Sequence, residues 1–516
     1  MAGVVILPEK LIGKFKKSIL PQWNICFWSA VIVGLIAHLY KITNWLPNWD
    51  SLVFRYDPQN MLGIGRWFLP VASAFSSYYD LPWITGLLAI LLHAVGAVCI
   101  CYMFGVKKNV TAALIGATVV SFPTVTSVLL YNYVADAYAL SFLFATIAAV
   151  LLTGEKPKYI IAVVLITLSV GIYQAYVTVT ITLLLGYLIV EVLRKDADLK
   201  ALILKALKFL LTGAVGMALY YLVLTLILKI SGTELLDYQG VNDATSLAGL
   251  NIGASLYTIK EAFFGFFFDF SKGLTLFNCL NVLVFAAAIC FYLIDIIKNK
   301  LSILKILIAA FLVAMLPIGV AVLSFINGNV DYHNLMKMGF VIFYLLFILQ
   351  YEKTDDQLVK LSCIKSWTVL LVMLVVVFHQ VVIANISYHK LGISYEKSYG
   401  TLVRIADRIE QTEDSENCDR ILVVGALEDS QAYSADLSLD MTGTTDGYII
   451  RADDEIVGQS VLCSALNDYC GKNYKFLAGE EKAELLKKAE ISTLDNWPAE
   501  NSISVIDDVI VIKLSD

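Results

Sequence analysis

Charge is what this sequence has least of. Charged residues make up 16% of its 516 positions against 58% hydrophobic, and the mean hydropathy is +0.73. A soluble domain carries about a quarter charged residues, so the shortfall excludes an ordinary water-soluble globule and points to a bilayer. The charge that exists is unevenly placed. From residue 386 onward there are 12 Lys/Arg against 25 Asp/Glu, and before it 26 against 19. Two bodies suited to different solvents are fused, and neither has the basic excess of a nucleic-acid binder.

Metal-ligand and nucleotide patterns are missing as well. Of the nine cysteines, Cys26, Cys99, Cys101, Cys279 and Cys290 fall in apolar runs, where a free thiol behaves as a small hydrophobe. Cys99-Ile100-Cys101 lacks the spacing of a CxxC pair. Cys463 and Cys470 are close enough in sequence to pair in an oxidising compartment, with Cys418 left over; pairing stays open. Gly63-Ile64-Gly65 follows no buried strand and is not a dinucleotide fingerprint. No internal repeat or low-complexity stretch is visible. Lys10, Lys14, Lys16 and Lys17 precede an apolar run from Ile25 to Leu46 that has no convincing cleavage site. It reads as a retained first helix with a cytoplasmic N-terminus.

What the chain does have is apolar runs of membrane-spanning length, about twenty residues. They lie at Ile25–Leu46, Pro82–Val106, Val110–Leu130, Val134–Thr153, Phe209–Ile230, Leu274–Ile297, Ile303–Ile326, Asn334–Gln350 and Trp367–Asn385. Tyr159–Leu193 is too long for one crossing and splits at Gly171-Ile172-Tyr173-Gln174-Ala175-Tyr176. The expected fold is a polytopic α-helical membrane protein with about eleven transmembrane helices and a C-terminal α/β domain. Basic residues favour the cytoplasmic side. Lys107-Lys108, Lys156/Lys158, the Arg194–Lys208 group, Lys298/Lys300/Lys305 and Lys353/Lys360/Lys365 fall in alternate loops, placing the C-terminus outside the cytoplasmic membrane. The domains expected are 1–24, a cytoplasmic segment; 25–385, the membrane domain with outer loops 47–81 and 231–273; and 386–516, a soluble extracytoplasmic α/β domain.

Arg66–Tyr79 in the first outer loop reads as a helix lying along the interface, and Phe263-Phe264-Gly265-Phe266-Phe267-Phe268 as a second interfacial signature. In the tail, strands are expected at Arg420–Val424 and Val505–Lys513, and helices at Tyr395–Gln411 and Glu480–Ala489. Asp453-Asp454-Glu455 and Asp507-Asp508 lack calcium-loop spacing and read as solvated charge.

Ionisable groups near a bilayer are costly and therefore informative. The first outer loop is richest, with Trp49, Asp50, Arg55, Asp57, Arg66 and Trp67 within twenty residues. One reading is a set of interfacial salt bridges. The other is a carboxylate base beside cations that hold a phosphate, a task that suits the planar fork of Arg. Asp136, after Tyr131-Asn132-Tyr133, starts a helix and suits a cap. Tyr173-Gln174 marks the split between two spans, and Asp331-Tyr332-His333-Asn334, with Lys337, precedes the tenth. Each has a bland reading of its own, yet together four hairpins bring polar clusters to one face, where they can line one outward cavity.

In the order and placing of these segments the chain resembles the bacterial Gtr-type glucosyltransferases, polytopic enzymes of the GT-C class. Members carry an acidic pair just after the first helix and a Gly-Arg motif before the second. The matching positions are Asp50-Ser51 and Gly65-Arg66-Trp67, and Gly171-Ile172-Tyr173-Gln174 and His333-Asn334-Leu335-Met336 are also similar. The likeness runs loosely over Leu39–Tyr351. Ser51 replaces the second acid, so Asp50 suffices as base, Asp57 supplies the second carboxylate, or the chemistry is weakened; the first is preferred.

The resemblance implies transfer of glucose or a similar hexose from a polyprenyl-phosphate sugar to an envelope glycan, such as an O-antigen, on the outer face. The donor phosphate would be held by Arg55, Arg66, His333 or Lys337. Trp49, Trp67, Tyr131, Asp136, Tyr173, Gln174 and Asp331 would line the cavity. No metal or other cofactor is expected. The implied partners are the lipid-linked donor, the glycan, the bilayer, a sugar-loading synthase and a flippase. The rivals are a flippase or transporter of lipid-linked sugars, which inverted repeats would favour; a glycan polymerase; and an assembly protein using its tail as a binding module.

Overall fold

The computed structural model describes residues 9–10, 13, 19–236, 251–271, 273–326, 328, 330–354, 359–427 and 458–516, with the side chains of Trp49, Val359 and Gln459 outside the description. The chain is mostly helical. Among the described residues nine helices are long and apolar enough to cross a membrane. Two shorter apolar helices, Tyr159–Ile172 and Met338–Glu352, stand where two further spans were expected. The chain is a polytopic membrane protein by this content.

Local chemistry sets the helix ends. Pro21, Pro82 and Pro123 each occupy a first helical position, where the missing N–H leaves nothing unsatisfied. The Asp198 carboxylate accepts from the N–H groups of Lys200 and Ala201 and caps the 33-residue helix Leu199–Ser231, which ends on Gly232 at φ +67°. The apolar stretch 159–193 breaks at Tyr173, whose extended φ −154°, ψ 117° ends one helix, and a 3₁₀ turn Gln174–Tyr176 leads into Val177–Val192.

Several polar side chains inside the bundle are paired, as a medium without water favours. The His38 ring contacts the Tyr388 hydroxyl at 2.8 Å and the Val120 carbonyl at 2.9 Å. The Lys41 ammonium donates to the Leu46 carbonyl at 2.7 Å, and the Tyr344 hydroxyl to Asn281 Oδ1 at 2.5 Å.

The C-terminal residues build a four-stranded sheet in the order β2-β1-β4-β3, from β1 Arg420–Val424, β2 Lys475–Phe476, β3 Ile503–Ile506 and β4 Val509–Lys513. β1 runs parallel to both neighbours, and β3 and β4 form an antiparallel hairpin. The single strand expected over Val505–Lys513 is therefore a hairpin. Asp507 and Asp508 both have positive φ (51° and 56°), the conformation of a two-residue hairpin turn, in which Asp is a favoured residue.

Four more expectations change. The helix at Tyr395–Gln411 is the end of one continuous helix, Val359–Gln411. Its Leu391 belongs to the apolar core of the bundle and its Leu402 to a second core in the C-terminal unit, so the hand-over falls beyond residue 386. Arg66–Tyr79 forms only a short helix, Leu69–Ser73, and a 3₁₀ turn, Ala74–Ser76, although Val71 and Phe75 present exposed apolar surface. Glu480–Ala489 resolves into Gly479–Leu485 and Ala489–Thr493. Phe266 and Phe267, read as interfacial, are buried against Phe340, Phe285 and Phe343. All nine cysteines are free thiols; the Cys463 thiol lies 3.0 Å from the Tyr474 carbonyl. Asp453-Asp454-Glu455 lies outside the described residues.

Candidate functional site

Gly65 begins the site. Its φ of +81° lies in the left-handed region, and a Cβ there would stand 2.6 Å from the Tyr220 hydroxyl and 2.9 Å from Gln174 Nε2. Only glycine fits. The close approach is what straps the loop down. The Tyr220 hydroxyl donates to the Gly65 carbonyl at 2.9 Å, and Gln174 donates to the Ile64 carbonyl at 2.8 Å. The second glycine of the pattern works on the same joint. A Cβ on Gly171 would meet the Trp67 ring at 2.8 Å, and the Gly171 carbonyl accepts from the Phe68 N–H at 2.8 Å. The Gly65-Arg66-Trp67 and Gly171–Gln174 motifs therefore interlock: each supplies the space the other occupies.

The strap aims Arg66. Its Nη1 donates to the Tyr138 hydroxyl at 2.7 Å, and its guanidinium lies 4.6 Å from the centre of the Tyr173 ring. Tyr138 and Tyr173 are stacked, with centroids 4.6 Å apart and planes at 7°. A planar cation on a tyrosine pair is held in direction as well as place.

Arg66, Tyr173, Gln174, Tyr220 and His333 give polar atoms to a cavity of about 340 Å³, toward the lower end of the ~300–1,000 Å³ typical of ligand sites. Met217, Leu224, Leu323, Val330 and Met336 are among its apolar lining. His333 Nδ1 is buried and meets no hydrogen-bond partner among the described residues, which points to a ligand group. Burial pulls the His333 imidazole down to about 4; Asp331 opposes this, while Arg66 and Lys337 add to it. The ring is thus neutral near pH 7 and able to donate from one nitrogen and accept on the other. The Lys337 Nζ lies 5.9 Å from the Phe266 ring centre.

Asp50 sits on the five-residue helix Trp49–Val53, capped by Asn48, whose Oδ1 accepts from the Ser51 N–H at 3.0 Å and the Ser51 hydroxyl at 2.9 Å. Burial pushes the Asp50 carboxyl up to about 6, and the Arg66 guanidinium limits the rise. Ser51, at the position of the second acid, holds the cap.

Of the expected residues, Arg66, Tyr173, Gln174 and His333 line the cavity; Asp50, the exposed Asp331 and Lys337 stand outside its lining and act on Arg66 or His333 by charge, with Trp67 wedged behind the strap. The structure sets other expected residues apart. The Arg55 guanidinium lies 3.1 Å from the Asp468 carboxylate and stacks over Trp45 at 4.6 Å, so it serves the C-terminal unit instead of the cavity. Asp57 accepts the Gln59 N–H at 2.7 Å and shapes a turn. Asp136 accepts the Ala137 N–H at 2.9 Å, acting at the start of its own helix. Tyr131 is half-buried against Tyr133 and, like Asp57 and Asp136, is not among the cavity-lining residues. The backbone of Trp49 lies in the Asp50 helix.

Three contributors escaped the sequence. Tyr138 and Tyr220 lie inside apolar runs and read as core, although a tyrosine hydroxyl buried there needs a partner. Asp80 accepts from Asn132 at 2.6 Å and from the Trp45 indole at 3.2 Å, and so ties the end of the loop to the segment after the first helix and to the turn Asn132–Val134.

Compared with known families, residues 39–343 match the model for the glucosyl transferase GtrII family. No curated protein and no solved structure matches the chain.

Proposed function

Because the chain belongs to the GtrII glucosyl transferase family, we propose that it moves glucose, or a similar hexose, from a polyprenyl-phosphate sugar to an envelope glycan on the outer face of the cytoplasmic membrane. The observation that carries this reading is Arg66, held on the Tyr138–Tyr173 pair at the wall of a largely apolar cavity, with the Asp50 carboxylate near enough to feel its charge. A polyprenyl donor reaches such a cavity sideways from the lipid. Its phosphate meets Arg66, with Lys337 and the unpaired His333 nitrogen close to the same charge.

In the proposed step an acceptor hydroxyl attacks the anomeric carbon. The new carbon–oxygen bond forms as the bond to the donor phosphate breaks, and that bond's electron pair leaves with the phosphate. Asp50 takes the hydroxyl proton, while Arg66 and Lys337 stabilise charge growing on the leaving group. One displacement inverts the anomeric configuration. The step asks for no metal.

The test incubates membranes containing the full chain with radiolabelled polyprenyl-phosphate glucose and envelope glycan. Label in the glycan, with inverted linkage, is expected. Labelled lipid crossing the bilayer, with every sugar donor in a panel left intact, overturns transfer in favour of a flippase.

A further inference from the structure

The family match ends at residue 343, yet the C-terminal unit reaches back into the site. Leu52, two residues after Asp50, is 2% exposed and belongs to the apolar core of that unit, together with Leu402, Ile409 and Leu466. The helix Trp49–Val53 packs against Gly458–Cys470. Arg55 extends the contact through its 3.1 Å ion pair with Asp468, and its guanidinium lies 5.4 Å from the Tyr469 ring. The Trp45 ring lies 5.9 Å from Tyr469. A five-residue helix does not hold itself, because one turn costs more to nucleate than its few hydrogen bonds return. Its N-cap and its docking partner must hold it.

We propose that the C-terminal unit is a built-in positioning element for transfer, gripping the Asp50 helix through Leu52 and Arg55 so that the carboxylate stays half-buried beside Arg66. The inference rests on the reading of Asp50 as base. Leu52, Arg55 and Asp468 are positioning residues; the reacting groups are Asp50 and Arg66. The charged or titratable groups that act on one another around Asp50 are Arg66 and the Tyr133 phenol. Loosening the grip admits water to the carboxylate and lowers its affinity for a proton.

The ion pair is part-exposed, with side chains 33% and 38% accessible, and a pair of that kind contributes little when merely deleted. Reversal is the sharper probe. Transfer is measured in full-chain membranes for the wild type, Arg55→Asp, Asp468→Arg, the double swap and Leu52→Ala, each at equal membrane insertion. The single reversals and Leu52→Ala are expected to lower kcat about ten- to hundredfold with the donor KM little changed. The pH midpoint of the rate should fall below that of the wild type, and the double swap should restore both. Wild-type rates and midpoints in the reversals overturn the proposal. So does a loss that the swap fails to restore and that leaves the midpoint fixed, since that is ordinary structural damage. Asp50→Asn, run alongside, separates the two claims. If it stays active, the base assignment falls and takes this proposal with it; if it is dead while the reversals match the wild type, only the positioning role falls.

Discussion

The first loop after the opening helix has two halves with different allegiances. Within residues 45–57, Trp45, Leu52 and Arg55 turn to the C-terminal unit, Leu52 lying in its core and Arg55 pairing with its Asp468, while Leu46 and Phe54 pack on the bundle. Residues 63–68 belong to the helical bundle: Gly65 is strapped by Tyr220, and Arg66 lies on Tyr138 and Tyr173. Two arginines of the same loop thus end on different bodies. The site forms where the halves meet, with Asp50 contributed by one and Arg66 by the other. Residue type alone did not decide the roles of the arginines. The partner each could reach did.

That contrast can be broken from either side. The largest effect is expected from Asp50→Asn, which removes the proposed base and should lower kcat about 10²–10⁴-fold, measured by label transfer at equal expression. Next comes Gly65→Ala on the bundle side. Its Cβ would crowd the Tyr220 hydroxyl and Gln174 at a backbone conformation that L residues resist, and shifting Arg66 should cost about ten- to hundredfold in transfer. Arg66→Lys keeps the charge and loses the fork, so transfer should fall about tenfold, with the donor KM raised. Asp57→Asn should be the mildest, within about twofold, because an amide oxygen can still accept the Gln59 N–H. A dead Asp57→Asn beside an active Asp50→Asn would reverse the assignment of base between the two carboxylates.

Legibility in the sequence followed the range of the interaction. Apolar runs located the helices because the need to bury backbone polar groups in lipid acts over each segment separately. The split at Tyr173 was legible for the same reason of length. Gly65 and Gly171 stood out as a pattern, but why glycine is required there depends on Tyr220 and Trp67, which lie far along the chain or across the joint. Arg55 was placed with the phosphate binders because its partner Asp468 lies in another body. The hairpin at Asp507-Asp508 carried a local signal, two turn-forming residues between β-rich runs, that was read as surface charge. The phenylalanine run looked interfacial until Phe340 and Phe343 arrived from another helix to bury it.

That Asp50 acts as a base from a half-buried place beside Arg66 is tested most directly by the pH dependence of transfer. Burial holds the carboxyl at about 6, above the ordinary aspartate value near 3.9. Only the ionised form accepts a proton, so kcat/KM should rise with pH through a midpoint near 6 and level off above it. The residual rate of Asp50→Asn should lack that limb. A wild-type profile flat across this range, or the same limb persisting in Asp50→Asn, would contradict the account.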